Sequence, residues 1–192
     1  MAVISCNPPC SAKDERETVE RLKELNGGEC DLISLIMSGC CGTVRQYFED
    51  GADVNAKIGH TPPLYAALCV ENNTAMANML LDLGADANAG YPGRQTAIAT
   101  ACVYSGNESV VQRMVDSGAK GLVEAVIEAI KNGYPEYLDI LLPRLPDVNN
   151  ATDCFGEPVD FLSVKPHSRY ITTFLTQHGV RPKIPAATAA GQ

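Results

Sequence analysis

The chain has no tryptophan, only three histidines and little positive charge. Fifteen Lys and Arg stand against 23 Asp and Glu, giving a net charge of −8 and a pI near 4.8. That sign is wrong for a protein whose affinity comes from neutralising phosphates, so neither nucleic acid nor an anionic membrane surface is an expected partner. No apolar run approaches the roughly 18 to 20 residues that a bilayer demands, which excludes a membrane span. The opening Met1 to Cys10 has no basic stretch and an apolar run of only three residues, unlike a secretory signal. An intracellular location, cytoplasmic or nuclear, is the expectation. Eight cysteines in 192 residues fall below the roughly 8 to 10% of a disulfide scaffold and are read as reduced thiols.

The same scarcity narrows the chemistry. Metal sites need close Cys or His pairs in two halves, whereas Cys6 and Cys10 form a lone pair and Cys40-Cys41 falls between helices. Cys69, Cys102 and Cys154 recur at the spacing of an internal repeat and read as small core residues. Of the histidines, His60 and His167 fall in loops and His178 at a helix C-terminus, where a cation suits the helix dipole. None completes a catalytic triad. Gly90-Tyr91-Pro92-Gly93 has neither the glycine spacing nor the lysine of a phosphate loop. No metal, no cofactor and no catalysis are expected.

What the chain does contain is a repeat. Its length suits one domain, and 45% hydrophobic against 20% charged residues suffices for a core. Gly51-Ala52-Asp53-Val54-Asn55-Ala56 returns as Gly84-Ala85-Asp86-Ala87-Asn88-Ala89, an offset of 33 residues (51 to 84). Gly118-Ala119-Lys120 follows 34 residues on, then a worn copy at Leu145-Pro146-Asp147-Val148-Asn149 after only 27. One unit is therefore short. Between the markers the apolar spacing is helical, with two helices per unit. Leu64, Ala67 and Leu68 share one face and Met76, Met79, Leu80 and Leu83 the next; Ile98, Ala101 and Cys102 precede Val110, Val111, Met114 and Val115. Asn107 is placed to cap its helix. In the fourth unit Leu122, Ala125, Val126, Ala129 and Ile130 precede Gly133, then Tyr137, Leu138, Leu141 and Leu142.

The period of 33, the Gly-Ala-Asp-x-Asn-Ala turns and Thr61-Pro62-Pro63-Leu64-Tyr65-Ala66-Ala67 at the start of one helix resemble an ankyrin repeat protein. The signature is uneven: Thr61 to Ala66 has an inserted proline and Tyr65 in the usual histidine position, and Gln95 to Ala101 has lost the proline. The resemblance implies an all-α fold, an ankyrin-repeat solenoid of stacked helix-turn-helix units with β-turn fingers. Residues 1–10 are expected to be a flexible arm, 11–182 the repeat domain and 183–192 a loose tail. Within the domain, residues 11–25 read as an N-terminal capping helix with a charged outer face and about five repeats occupy residues 30 to 182.

The resemblance also implies a protein partner, held on the concave face formed by finger tips and first helices. Fingers are expected at Val54 to Thr61, Ala87 to Gln95 and Val148 to Glu157, while Gly118 to Gly121 is too short for one. The candidate contact residues are Ile58, His60, Tyr65, Tyr91, Arg94, Tyr104 and Phe155, because interface hot spots are enriched in aromatics and arginine. Two of these have a second reading: Tyr65 as a packing residue and Phe155 as partly core. The missing finger is either a notch or a degenerate unit. An alternative function makes that gap a small-molecule pocket, even of an unusual enzyme, with Tyr65, Tyr104, His60 and Arg94 as its polar groups.

Overall fold

The computed structural model describes residues 12–25, 31–90, 95–165 and 169–182. The expected arm and tail lie outside them. Helix α1 (Ala12–Leu25) precedes four helix pairs: α2 (Leu32–Met37) with α3 (Cys41–Glu49), α4 (Pro63–Leu68) with α5 (Thr74–Asp82), α6 (Ala97–Ala101) with α7 (Glu108–Asp116), and α8 (Leu122–Asn132) with α9 (Pro135–Leu141). A 3₁₀ turn, Leu142–Arg144, extends α9, and α10 (Arg169–Gln177) ends the described chain. The first helices pack in the order α2, α4, α6, α8 and the second in the order α3, α5, α7, α9.

Composition explains the two layers. Helices α4 and α6 are buried along their whole length, and alanine-rich sequences (Pro63-Leu64-Tyr65-Ala66-Ala67-Leu68 and Ala97-Ile98-Ala99-Thr100-Ala101) let neighbours on both sides approach closely. The second helices are amphipathic: α7 buries Val110, Val111, Met114 and Val115 and leaves Glu108, Ser109 and Asp116 in water. Each fully buried Leu, Val or Met is worth roughly 1.5 to 3 kcal/mol, so the stack gains most of its stability between units.

The Gly-Ala-Asp-x-Asn turns link successive units. Gly84 ends α5 in the left-handed region at φ 89°, a conformation glycine adopts without a Cβ penalty. Asn55 then donates from Nδ2 to the Gly84 carbonyl (3.1 Å) and accepts from the Asp86 amide (2.7 Å). Asn88 bonds in the same way to Gly118 and Lys120, and Asn149 to Gly179 and Arg181. The equivalent position of the fourth unit is Leu122, four residues after Gly118 as Asn88 is after Gly84, so that rung is missing. Asn55→Ala removes two exposed bonds of roughly 0.5 to 1.5 kcal/mol each. Discounted for solvent, the expected loss in unfolding free energy by denaturant titration is about 1 kcal/mol; an unchanged midpoint would show the rungs to be ornamental.

Five expectations need correction. Of the three cysteines read as core residues only Cys102 is buried, while Cys69 and Cys154 are exposed. Asn107 occupies the N-cap position of α7, but its side chain makes no capping bond. It donates instead to the Ala101 carbonyl (3.0 Å) and accepts from the Thr74 hydroxyl (2.8 Å), bridging units two and three. Glu15, expected on the charged outer face of α1, is 8% exposed. Its carboxylate accepts from the Gly42 amide (3.1 Å) and the Thr43 amide at the start of α3, where a negative charge meets the positive end of the helix. Cys41 begins α3 rather than lying in a loop, with Cys40 at its N-cap. Finally, the fifth unit lacks its first helix among the described residues: Asp160 accepts from the Leu162 amide (3.1 Å) and the Ser163 amide (3.0 Å), and Phe161 enters the core from a turn. An aspartate that bonds its own backbone offers the chain this alternative to helix.

Candidate functional site

The first finger is a tight hairpin. Ile58 and Thr61 exchange backbone bonds (3.0 and 3.2 Å), and Gly59 turns the tip at φ 65°. Ile58 is half-buried against the core, whereas His60 stands exposed beside the glycine. Pro62 and Pro63 then lead directly into α4. In the second finger the described chain stops at Gly90, so Tyr91 and Arg94 lie outside the described residues.

The fifth unit's finger is longer and more tightly bonded. The Val159 amide donates to Ala151 (3.0 Å), the Asp153 amide to Glu157 (2.9 Å) and the Gly156 amide to Asp153 (3.0 Å). One oxygen of Asp153 also accepts from the amides of Phe155 and Glu157, each at 2.9 Å. The loop thus holds itself around Asp153, and Phe155 at its tip is 86% exposed. Its second reading as a partly buried residue does not hold.

Between these fingers the fourth unit has none. Its helix register explains why: Val126, Ala129 and Ile130 repeat the buried Ile98, Ala101 and Cys102 at an offset of 28 residues (98 to 126), five fewer than the 33 of the regular turns. The residues that would form a finger are instead the first turn of α8, Leu122 to Glu124, entered through Gly121 at φ 83°. Glu124 stands against the Cys154 thiol of the fifth finger. Desolvation, the hydrogen bond with Glu124 and the charges of Glu124 and Asp153 push that thiol above its ordinary range, which makes Cys154 a poorer nucleophile.

The remaining candidates separate. Tyr65 is 6% exposed and packs in the core, so its reading as a packing residue is the one the burial supports. Tyr104 lies beyond the end of α6, not on a first helix, and its hydroxyl reaches the Cys69 carbonyl (3.5 Å) just past α4. That is the opposite end of the first helices from His60. The groups assigned to a ligand pocket therefore do not converge: Tyr65 is buried, Tyr104 and His60 are a helix length apart, and Arg94 lies outside the described residues.

Sequence reasoning passed over Tyr47, half exposed on α3. It lines a groove of about 560 Å³ between α1 and α3, together with Arg16, Gln46 and Asp50. Its spacing from Val44, three residues earlier, is that of a buried helix face and gave no signal of exposure. Among the described residues no group of three or more His, Cys, Asp or Glu is placed to hold a metal, and no helix is long and apolar enough to cross a membrane.

Stacked helix pairs, finger hairpins and asparagine rungs define a helical repeat protein of the finger-bearing kind. Residues 63–157, from the first residue of α4 to the end of the fifth finger, match the family model described as LRRK2 ANK repeat. The chain is an ankyrin repeat protein. Ankyrin repeats generally mediate protein–protein interaction and are generally non-catalytic modules.

Proposed function

We propose that this protein is a non-catalytic adaptor, inhibitor or targeting subunit that binds another protein through its fingers and the concave face of an ankyrin solenoid. In this reading α1 caps the first unit, latched by Glu15. The observation that carries it is Phe155: a large aromatic side chain, 86% exposed, on a hairpin that spends five hydrogen bonds on its own shape. An aromatic held rigid in water has no folding role and loses little entropy on binding, which is the profile of a hot spot. Ile58 and His60 extend the surface along the row, and Tyr91 and Arg94, outside the described residues, complete the proposed contact set. Tyr65 is omitted because it is buried, and Tyr104 because it faces the other end of the helices.

The test compares wild type and Phe155→Ala as baits for native extract, with quantitative mass spectrometry of what each retains. A partner held by wild type should fall at least about tenfold with the variant. The unfolding free energy should stay within about 0.5 kcal/mol, as for an exposed position. Identical retention by both baits would overturn the assignment of the site to this finger.

A further inference from the structure

The two described finger tips differ in charge. Val54 to Thr61 carries Lys57 and His60 and no carboxylate, whereas Val148 to Glu157 carries Asp153 and Glu157 and no base. The missing fourth finger sharpens the difference. Because α8 begins where a finger would stand, its first turn brings Glu124 against the fifth finger at Cys154, and both Glu124 and Asp153 act electrostatically on that thiol. Glu124 and Asp153 thus flank the residue before Phe155, and Glu157 follows two residues after it on the same exposed finger. Among the described residues none of the three is in an ion pair with a cation.

We infer that the fifth finger and the first turn of α8 form a docking surface for a basic segment of the partner protein. This rests on the finger reading above and adds the partner's chemistry. An arginine or an apolar side chain of the segment stacks on the Phe155 ring, and flanking Lys or Arg side chains meet Glu124, Asp153 and Glu157. Arginine suits the ring best, since its planar guanidinium stacks on an aromatic face and is weakly hydrated. The ring supplies most of the affinity, because exposed ion pairs are weak individually. The carboxylates supply selectivity and speed, rejecting acidic segments and steering basic ones.

The test uses a phage-displayed random peptide library selected on the immobilised full chain, with Phe155→Ala, Phe155→Tyr and the double variant Glu124→Gln/Glu157→Gln as parallel baits. Phe155 and Glu157 are exposed and Glu124 is half-buried, and the Tyr variant preserves the ring. Peptides enriched by wild type should be net positive. Their retention should fall at least tenfold on Phe155→Ala, stay within about twofold on Phe155→Tyr and fall about threefold or more on the double Gln variant. Raising salt from about 50 to about 500 mM should weaken them, as screening shortens to a few ångström. Enriched peptides that are lost on Phe155→Ala but are neutral or acidic would overturn the inference and leave the finger reading intact. Peptides indifferent to Phe155→Ala, or no enrichment on wild type, would overturn both.

Discussion

Replacing Gly121 with alanine is expected to lower the unfolding free energy by about 2 to 4 kcal/mol, although the residue lies in a loop and touches no candidate contact residue. Two costs combine. Gly121 stands at φ 83°, where an L side chain pays roughly 1 to 2 kcal/mol. A Cβ there would also lie 2.5 Å from both Cγ2 and Oγ1 of Thr96. Thr96 cannot move freely, because it is the N-cap of α6 and its hydroxyl accepts from the Ala99 amide (3.4 Å). Overpacking of this kind costs roughly 1 to 3 kcal/mol. Gly118 provides the control: it has φ 77° and nothing within 4 Å of an added Cβ, so Gly118→Ala should cost only the backbone part, about 1 kcal/mol.

A double-mutant cycle separates the two costs. Thr96→Ala removes the two nearest atoms and leaves only the Thr96 Cβ, 2.9 Å from the new methyl, so Gly121→Ala should be less damaging in that background by about 1 kcal/mol. Denaturant titration of the four proteins measures it. Equal costs for Gly118→Ala and Gly121→Ala, or strict additivity with Thr96→Ala, would show that the close approach of the two loops is not what holds the short unit in place.

Tyr137→Phe should cost about 2 to 3 kcal/mol at neutral pH. The ring is fully buried in α9. Its hydroxyl donates to the Tyr104 carbonyl and accepts from the Asn107 amide (3.0 Å), joining the fourth unit to the backbone between α6 and α7. Phenylalanine fills the same space but strands a buried donor and a partly buried acceptor, at roughly 1 to 3 kcal/mol for such a group. A loss below about 0.5 kcal/mol would mean that the two backbone groups find other partners.

The same hydroxyl gives a pH signature. Burial pushes the Tyr137 phenol above its ordinary range, assisted by the charges of Glu108, Cys102 and Glu136 and opposed by the bond from Asn107. The folded chain therefore holds this proton more tightly than the unfolded one. The resulting stability is complete below the ordinary phenol value of about 10 and is lost as pH rises through the folded value. Wild type should lose its advantage over Tyr137→Phe progressively above about pH 10.

The legible features of this chain are those whose cause is local. A glycine closing the second helix of units one to three, an aspartate that accepts from the amide two residues on, and apolar residues at helical spacing depend on a few neighbouring residues, so the period of 33 and both helices of units two, three and four could be read directly. The shortened unit was legible as well, from the 27-residue step. So was the helix in place of its finger, since Leu122 continues the stripe of Ala125, Val126, Ala129 and Ile130; the close pass of Gly121 against Thr96 was not, because it depends on α6 packing on α8. The fifth unit misled because Phe161 and Leu162 keep the apolar spacing, while Asp160 turns the backbone elsewhere.

The candidate surface was legible in part for the same reason. Aromatic residues in a finger-length loop announce themselves, but exposure is a property of what packs on them. Phe155 and Tyr65 are both aromatic in sequence, yet one is 86% and the other 6% exposed, since Tyr65 sits in a helix enclosed by α2, α5 and α6 and Phe155 at the tip of a hairpin that no described element covers. Sequence alone determined that this is a repeat of helix pairs, where its turns fall and which unit is short, because these follow from local turn chemistry and periodicity. Only the tertiary structure decided that Glu15 closes α3, that Asn107 bridges units instead of capping its helix, and that Glu124 meets the fifth finger. Each of those contacts joins residues about 27 to 33 positions apart, and which side chains meet across that distance is set by how the units stack.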